Sequence, residues 1–135
     1  MPLARTVAFV VPADVHLLDL AGPAQVFSTT DDVVGGAYRL AFVSLDGTDS
    51  VVSHQGLPLA VDAGWPPLGP RDVVLVPGWR VGAGAADRPV SRAARDGLVG
   101  HHAEGGRVAS VCAGAFALAA AGLLDGRRAT THHDL

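Results

Sequence analysis

The sequence contains no lysine, isoleucine or asparagine, and all ten of its basic residues are arginine. That bias points to a GC-rich, bacterial genome and is silent on function. There is a single cysteine, Cys112, which excludes an intramolecular disulfide framework and a multi-cysteine zinc site. Charged residues make up only 17% of the chain against 49% hydrophobic residues, a balance that excludes intrinsic disorder. A net charge of −3 leaves no electrostatic footprint for nucleic acid. The longest uncharged run, Val108–Leu124, has 17 residues, the lower limit for a membrane span. It is rich in Ala and Gly and holds Ser110 and Cys112, so it reads as a buried strand, a turn and a buried helix. The apolar stretch Val7–Val11 is cut off by Pro12 and Asp14, too early for a signal-peptide core. The chain is expected to be soluble and cytoplasmic, with no membrane partner. What remains suits one domain over residues 1–135, able to bury roughly two-thirds of its unfolded surface.

Short apolar, β-branched runs recur along the chain. Thr6–Val11 reads as a strand buried on both faces, Tyr38–Ser44 as a second strand, and Asp72–Val76 and Arg107–Val111 as two further buried strands. Val51–Ser53 and Leu57–Val61 read as a small hairpin around Gln55-Gly56, and Arg128–Thr131 as a fifth strand of the main sheet. Helices are expected between them. One opens at Pro23, which suits a first turn; one runs from the N-cap Ser91 to Glu104; one is the Ala-rich Gly114–Ala121. A Gly/Ala loop spans 79–89. Strands alternating with helices predict an α/β fold, a flavodoxin-like three-layer sandwich with a mainly parallel sheet. Ligands bind such sheets beyond the C-terminal strand ends, so Pro12–Asp19, Pro77–Trp79 and Cys112 should meet in space. The fifth strand has no helix after it, so the domain reads as truncated at its C-terminus.

Cys112 is the sharpest feature. Its setting, strand–Cys–Ala–Gly–helix, is that of a nucleophile elbow, in which a strained turn presents the side chain above the sheet. The following helix would stabilise a thiolate through its N–H groups and dipole. The N–H groups of Ala113 and Gly78 are candidate oxyanion donors. Asp19 is an acid inside the apolar stretch LeuLeuAspLeuAlaGlyPro, and a carboxylate there needs a partner. It either faces Cys112, as hydrogen-bond donor or proton relay, or caps the helix containing Pro23. His132 follows the fifth strand and is a candidate base, whereas His133 reads as solvent-facing. His101 and His102 are adjacent on one helix, point to different faces and read as surface residues. Gly82-Ala83-Gly84 falls short of a dinucleotide fingerprint. No metal site and no cofactor are expected.

Three segments carry a family resemblance: LLDLAGPAQVF (17–27), DVVLVPG (72–78) and SVCAGAFALAAAGLLDGRRATTH (110–132). They resemble the ThiJ/PfpI superfamily, the glutamine-amidotransferase-like α/β domain. The likeness runs from Thr6 to His132. It is strongest to the N-terminal domains of GlxA-type regulators of the AraC family, and isonitrile hydratases are also similar. The resemblance implies that Cys112 is the elbow cysteine and Asp19 the acid facing it. It implies that Gly78 and Ala113 hold the oxyanion positions and His132 the histidine after the next strand. PfpI-type peptidases carry a His directly after the cysteine and the hydratases a Thr, where this chain has Ala113.

Two functions follow as expectations. The first is a small-molecule-sensing domain of an AraC-type transcriptional regulator, expected to be a homodimer, without its helix-turn-helix module and without direct nucleic-acid binding. The second is a Cys-dependent isonitrile hydratase or related hydrolase, with Cys112 attacking carbon and Asp19 moving protons. A weaker third is redox sensing through oxidation of Cys112.

Overall fold

Strand β1 (Arg5–Val11) alternates its side chains between two cores. Ala8 and Val10 face one; Val7, Phe9 and Val11 face the other. All five are fully buried, as expected for the central part of a sheet covered on both sides. The computed structural model describes residues 3–82 and 90–135. The part of the expected Gly/Ala loop at 83–89, with most of the Gly82-Ala83-Gly84 run, lies outside the described residues.

β1 leads into helix α1 (Leu17–Val34) and then into β2 (Tyr38–Ser44). Next come the short strands β3 (Ser50–Val52) and β4 (Pro58–Ala60), then β5 (Val73–Val76) and α2 (Arg92–Ala103). The chain closes with β6 (Arg107–Ser110), a single 3-10 turn at Cys112–Gly114, and α3 (Ala115–Ala120). The main sheet has the order β2-β1-β5-β6, and all its neighbours are parallel. β3 and β4 form the expected antiparallel hairpin. The fold is therefore α/β with a parallel central sheet. α1 and the hairpin cover one face, through Leu20, Ala24, Phe27 and Val51. α2 and α3 cover the other, through Ala94, Leu98, Ala117 and Leu118. Among the described residues, no helix is long and apolar enough to cross a membrane.

The α2 expectation holds in detail. Ser91 is the N-cap, its hydroxyl oxygen accepting from the Ala94 N–H at 3.1 Å. Three expectations are corrected. α1 starts at Leu17, so Pro23 stands inside the helix and not at its first position. Pro23 has no N–H to give to the Asp19 carbonyl four residues back, and the first turn is supported from outside instead. The Leu17 N–H donates to Gln55 Oε1 of the hairpin turn at 3.2 Å. Second, Arg128–Thr131 forms no strand: it runs as irregular chain, and Ala129–Thr131 share the lining of one pocket with Phe116, Ala119 and Leu124. With Arg128 at its start and Thr130 and Thr131 at its end, it lacks the apolar residues on both faces that a buried strand needs. Third, His101 is buried, at 5% exposure, while His102 is half-buried. Its ring packs on Gly106 and its Nε2 lies 3.2 Å from the Asp72 carbonyl oxygen. His101 stands one turn beyond Leu98 and two beyond Ala94, on the buried side of α2.

Candidate functional site

Because β1, β5 and β6 are adjacent and parallel, the chain leaves all three at one end of the sheet. Val15 bridges to Trp79, and the Arg80 N–H donates to the Asp14 carbonyl at 3.0 Å. The Val111 N–H donates to the Val76 carbonyl at 3.0 Å. The three segments expected to meet do so.

Their meeting point is Gly78. A methyl placed on it would stand 2.5 Å from Asp19 Oδ2, 3.0 Å from the Cys112 Cβ and 3.1 Å from the Ala113 nitrogen. No larger residue leaves room for an acid, a thiol-bearing carbon and a backbone N–H around one Cα. Gly78 also holds α1 in place, since its carbonyl accepts from the His16 N–H at 3.0 Å. The structure thus brings together Asp19, Gly78, Cys112 and Ala113.

Cys112 has φ +52°, in the left-handed region that residues with a Cβ rarely occupy. The strain is held by bonds on both sides: Gly114 N–H to the Val111 carbonyl (2.9 Å) and the Thr131 hydroxyl to the Cys112 carbonyl (2.9 Å). Cys112→Gly is accordingly expected to be more stable than Cys112→Ala by about 1 kcal/mol in urea unfolding. Equal midpoints would mean that the turn stores no backbone strain. The helix after the elbow is shorter than expected. α3 has six residues, so the N–H of Ala113 in the preceding 3-10 turn, and not a summed helix dipole, is what this segment offers the site.

Asp19 lies in the first turn of α1 and caps nothing, because the N-cap is His16, whose side chain makes no capping bond. Asp19 Oδ2 is buried and has no hydrogen-bond partner among the described residues, the Cys112 thiol included. The carboxyl therefore faces the elbow without being bonded to it.

His132 stands apart from this knot. Its side chain is 40% exposed, and its Nδ1 accepts from the Asp134 N–H at 3.2 Å. It reaches the site only as part of a pocket of about 280 Å³ in front of Cys112, whose walls include His16, Trp79, Arg80, Ala113 and His132. His133 is 82% exposed, as expected, and lies 3.2 Å from Asp134 Oδ1. Ligand-type atoms of His132, His133 and Asp134 fall within 4.8 Å of one another, all on exposed side chains outside the knot.

Sequence reasoning missed His16. Its ring lines the pocket with Cys112 and stacks on His54 of the hairpin turn, centroids 5.4 Å apart and planes at 16°. Its Nε2 is buried and, like Asp19 Oδ2, has no hydrogen-bond partner among the described residues. The signal was the spacing HisLeuLeuAsp, which puts His16 one turn before Asp19 once α1 is known to begin at Leu17.

The sequence profile of the DJ-1/PfpI family matches residues 5–135. The chain is 47% identical over 116 residues to an uncharacterized Streptomyces lividans protein from the cpoL 5' region, covering 86% of this chain and 79% of that one. It is 35% identical to an isonitrile hydratase of Pseudomonas putida, over 98% of this chain and 56% of the hydratase. It is 33% identical to the HTH-type transcriptional regulator GbdR of Pseudomonas aeruginosa, over 95% of this chain and 34% of the regulator. The chain thus spans about half the length of the hydratase and a third of the regulator. In fold it is similar to the crystal structure of an AraC family transcriptional regulator from Pseudomonas putida. The TM-score is 0.76 at 21% identity, over 96% of this chain and 68% of that one.

Proposed function

The chain belongs to the DJ-1/PfpI family, and from that premise we propose that it is a small-molecule-binding domain of the kind carried by AraC-type transcriptional regulators. The ligand binds in front of Cys112. The observation that carries this reading is the packing of Asp19, Cys112 and the Ala113 N–H around Gly78, opening on a pocket of about 280 Å³. The pocket joins an apolar wall, Trp79 and Val81, to a few polar groups, the usual make-up of a small-ligand site. With a net charge of −3, these 135 residues have no overall positive charge to draw DNA, so the reading gives them ligand binding and not DNA contact. Similarity to a regulator at 33% identity over 95% of this chain supports the same class. The hydratase reading stands behind it: Ala113 brings only a methyl group next to Cys112, and no hydroxyl to handle water or a proton.

The test is a thermal-shift screen of small metabolites against the chain, with Cys112 free or blocked by N-ethylmaleimide. A true ligand at a hundred times its dissociation constant stabilises by about 2.7 kcal/mol, and the block should remove that gain. A shift that survives the block places the ligand elsewhere and overturns the reading. A broad panel with no stabilising member also counts against it.

A further inference from the structure

Thr131 lies in irregular chain beyond α3, 19 residues from the elbow, and its hydroxyl donates to the Cys112 carbonyl at 2.9 Å. The same carbonyl oxygen also accepts from the Ala115 N–H. The two bonds differ in origin. Ala115 follows directly on the 3-10 turn and moves with it. Thr131 reaches in from a separate stretch of chain, so its bond ties the turn to a point outside it. Thr131 is half-buried, which limits the water that competes for that bond.

The Cys112 carbonyl and the Ala113 N–H belong to one peptide unit. That unit is planar and trans, so the two groups point in opposite directions, and fixing the oxygen fixes the hydrogen. The Ala113 nitrogen stands 3.1 Å from the place a Gly78 methyl would take, beside the Cys112 Cβ and Asp19 Oδ2. Ala113 is fully buried, and its N–H makes no backbone hydrogen bond among the described residues. Buried N–H groups are nearly always paired, so a free one beside the single cysteine needs something to hold it in place. The local backbone does not hold itself: at φ +52°, Cys112 sits where a residue with a Cβ stays only under restraint.

We propose that Thr131 is a positioning residue of the Cys112 site. Its hydroxyl locks the Cys112–Ala113 peptide plane, and with it both the left-handed turn that presents the thiol and the direction of the Ala113 N–H. A hydrogen bond at the carbonyl end also polarises the amide and strengthens its N–H as a donor. Without the hydroxyl the plane can rotate, the turn relaxes, and thiol and donor lose their register. The next residue, His132, stands on the wall of the pocket in front of Cys112, so one short segment lines the pocket and holds its elbow. The role does not depend on which ligand the pocket takes.

Iodoacetamide labelling of Cys112 in the ligand-free chain, read by mass spectrometry, tests this. The sulfur forms a bond to the methylene carbon, iodide leaves with the carbon–iodine electron pair, and the thiol proton goes to buffer. Thr131→Val keeps the shape and removes the donor, and it is expected to slow labelling about fivefold, the worth of one hydrogen bond. Thr131→Ser keeps the hydroxyl and should label at the wild-type rate. A role in packing alone would give the opposite order, because Ser loses the methyl group and Val keeps it. Thr130→Val controls for the segment as a whole: the Thr130 hydroxyl reaches the Thr131 carbonyl at 3.5 Å, and its loss should leave the rate unchanged. Should Thr131→Val fail to fold, Thr131→Ala removes the same hydroxyl and is read against Thr131→Ser. Wild-type labelling in the folded variant without the hydroxyl overturns the proposal. So does a Thr131→Ser or a Thr130→Val that is slowed as much. These outcomes leave the ligand reading standing, since no ligand is present. A wild-type Cys112 that takes no label overturns both.

Discussion

Gly114→Ala is expected to cost about 3 kcal/mol or more, enough to bring a marginally stable domain close to unfolding. The φ of Gly114, −56°, suits any residue, so backbone conformation is not the reason. Space is. A methyl here would be driven into the Val76 carbonyl oxygen, with the Val76 carbonyl carbon at 2.9 Å and the Pro77 oxygen at 3.2 Å. Those atoms are main chain at the end of β5, one of them already accepting from Val111. They cannot turn aside as a side chain does. Either the turn after β6 lifts off β5, or the last turn of β5 gives way. Both move Cys112. Urea unfolding checks the prediction, and a variant within 1 kcal/mol of wild type would falsify it.

The main sheet was legible because its strands are continuous apolar runs bounded by Pro, Gly or charge. Val73–Val76 before Pro77-Gly78 is the clearest case. The boundaries of α1 were not, because Pro23 is as good at a helix start as anywhere. What extends α1 back to Leu17 is not local: the hairpin supplies Gln55 to its first N–H, and Gly78 holds its N-cap residue. The expected strand at 128–131 failed for a related reason. Alternation of strands and helices suggested it, but its own residues, one arginine and two threonines around Ala129, carry little apolar surface to bury. His101 was misplaced because an adjacent His pair looks polar, whereas the turn positions Ala94 and Leu98 assign it to the core side of α2.

The site was legible in part. Cys112, Gly78 and Asp19 stand next to strand ends or in an apolar setting, and parallel neighbours bring such ends together whatever the details. The rest depends on side-chain placement. The missing bond between Asp19 and the thiol, the retreat of His132 to the rim and the inward turn of His16 follow from the α1 start and from the hairpin lying over it. No pattern within a single segment encodes those contacts.

Gly78→Ala should separate the site from the fold. Unlike Gly114, Gly78 is crowded mainly by movable groups: the end of the Asp19 side chain at 2.5 Å and the Cys112 Cβ at 3.0 Å, with the Ala113 nitrogen at 3.1 Å. The Asp19 carboxylate can swing away, so the stability cost stays at about 1–3 kcal/mol and the chain remains folded. The site does not escape so lightly. The new methyl takes the place from which Asp19, Cys112 and the Ala113 N–H face one another, and displacements of this size beside a reacting atom cost up to about a hundredfold in rate. Iodoacetamide labelling of Cys112 is therefore expected to slow at least about tenfold. The circular dichroism spectrum should match wild type. A folded Gly78→Ala that labels at the wild-type rate would show that the knot around Gly78 is packing alone.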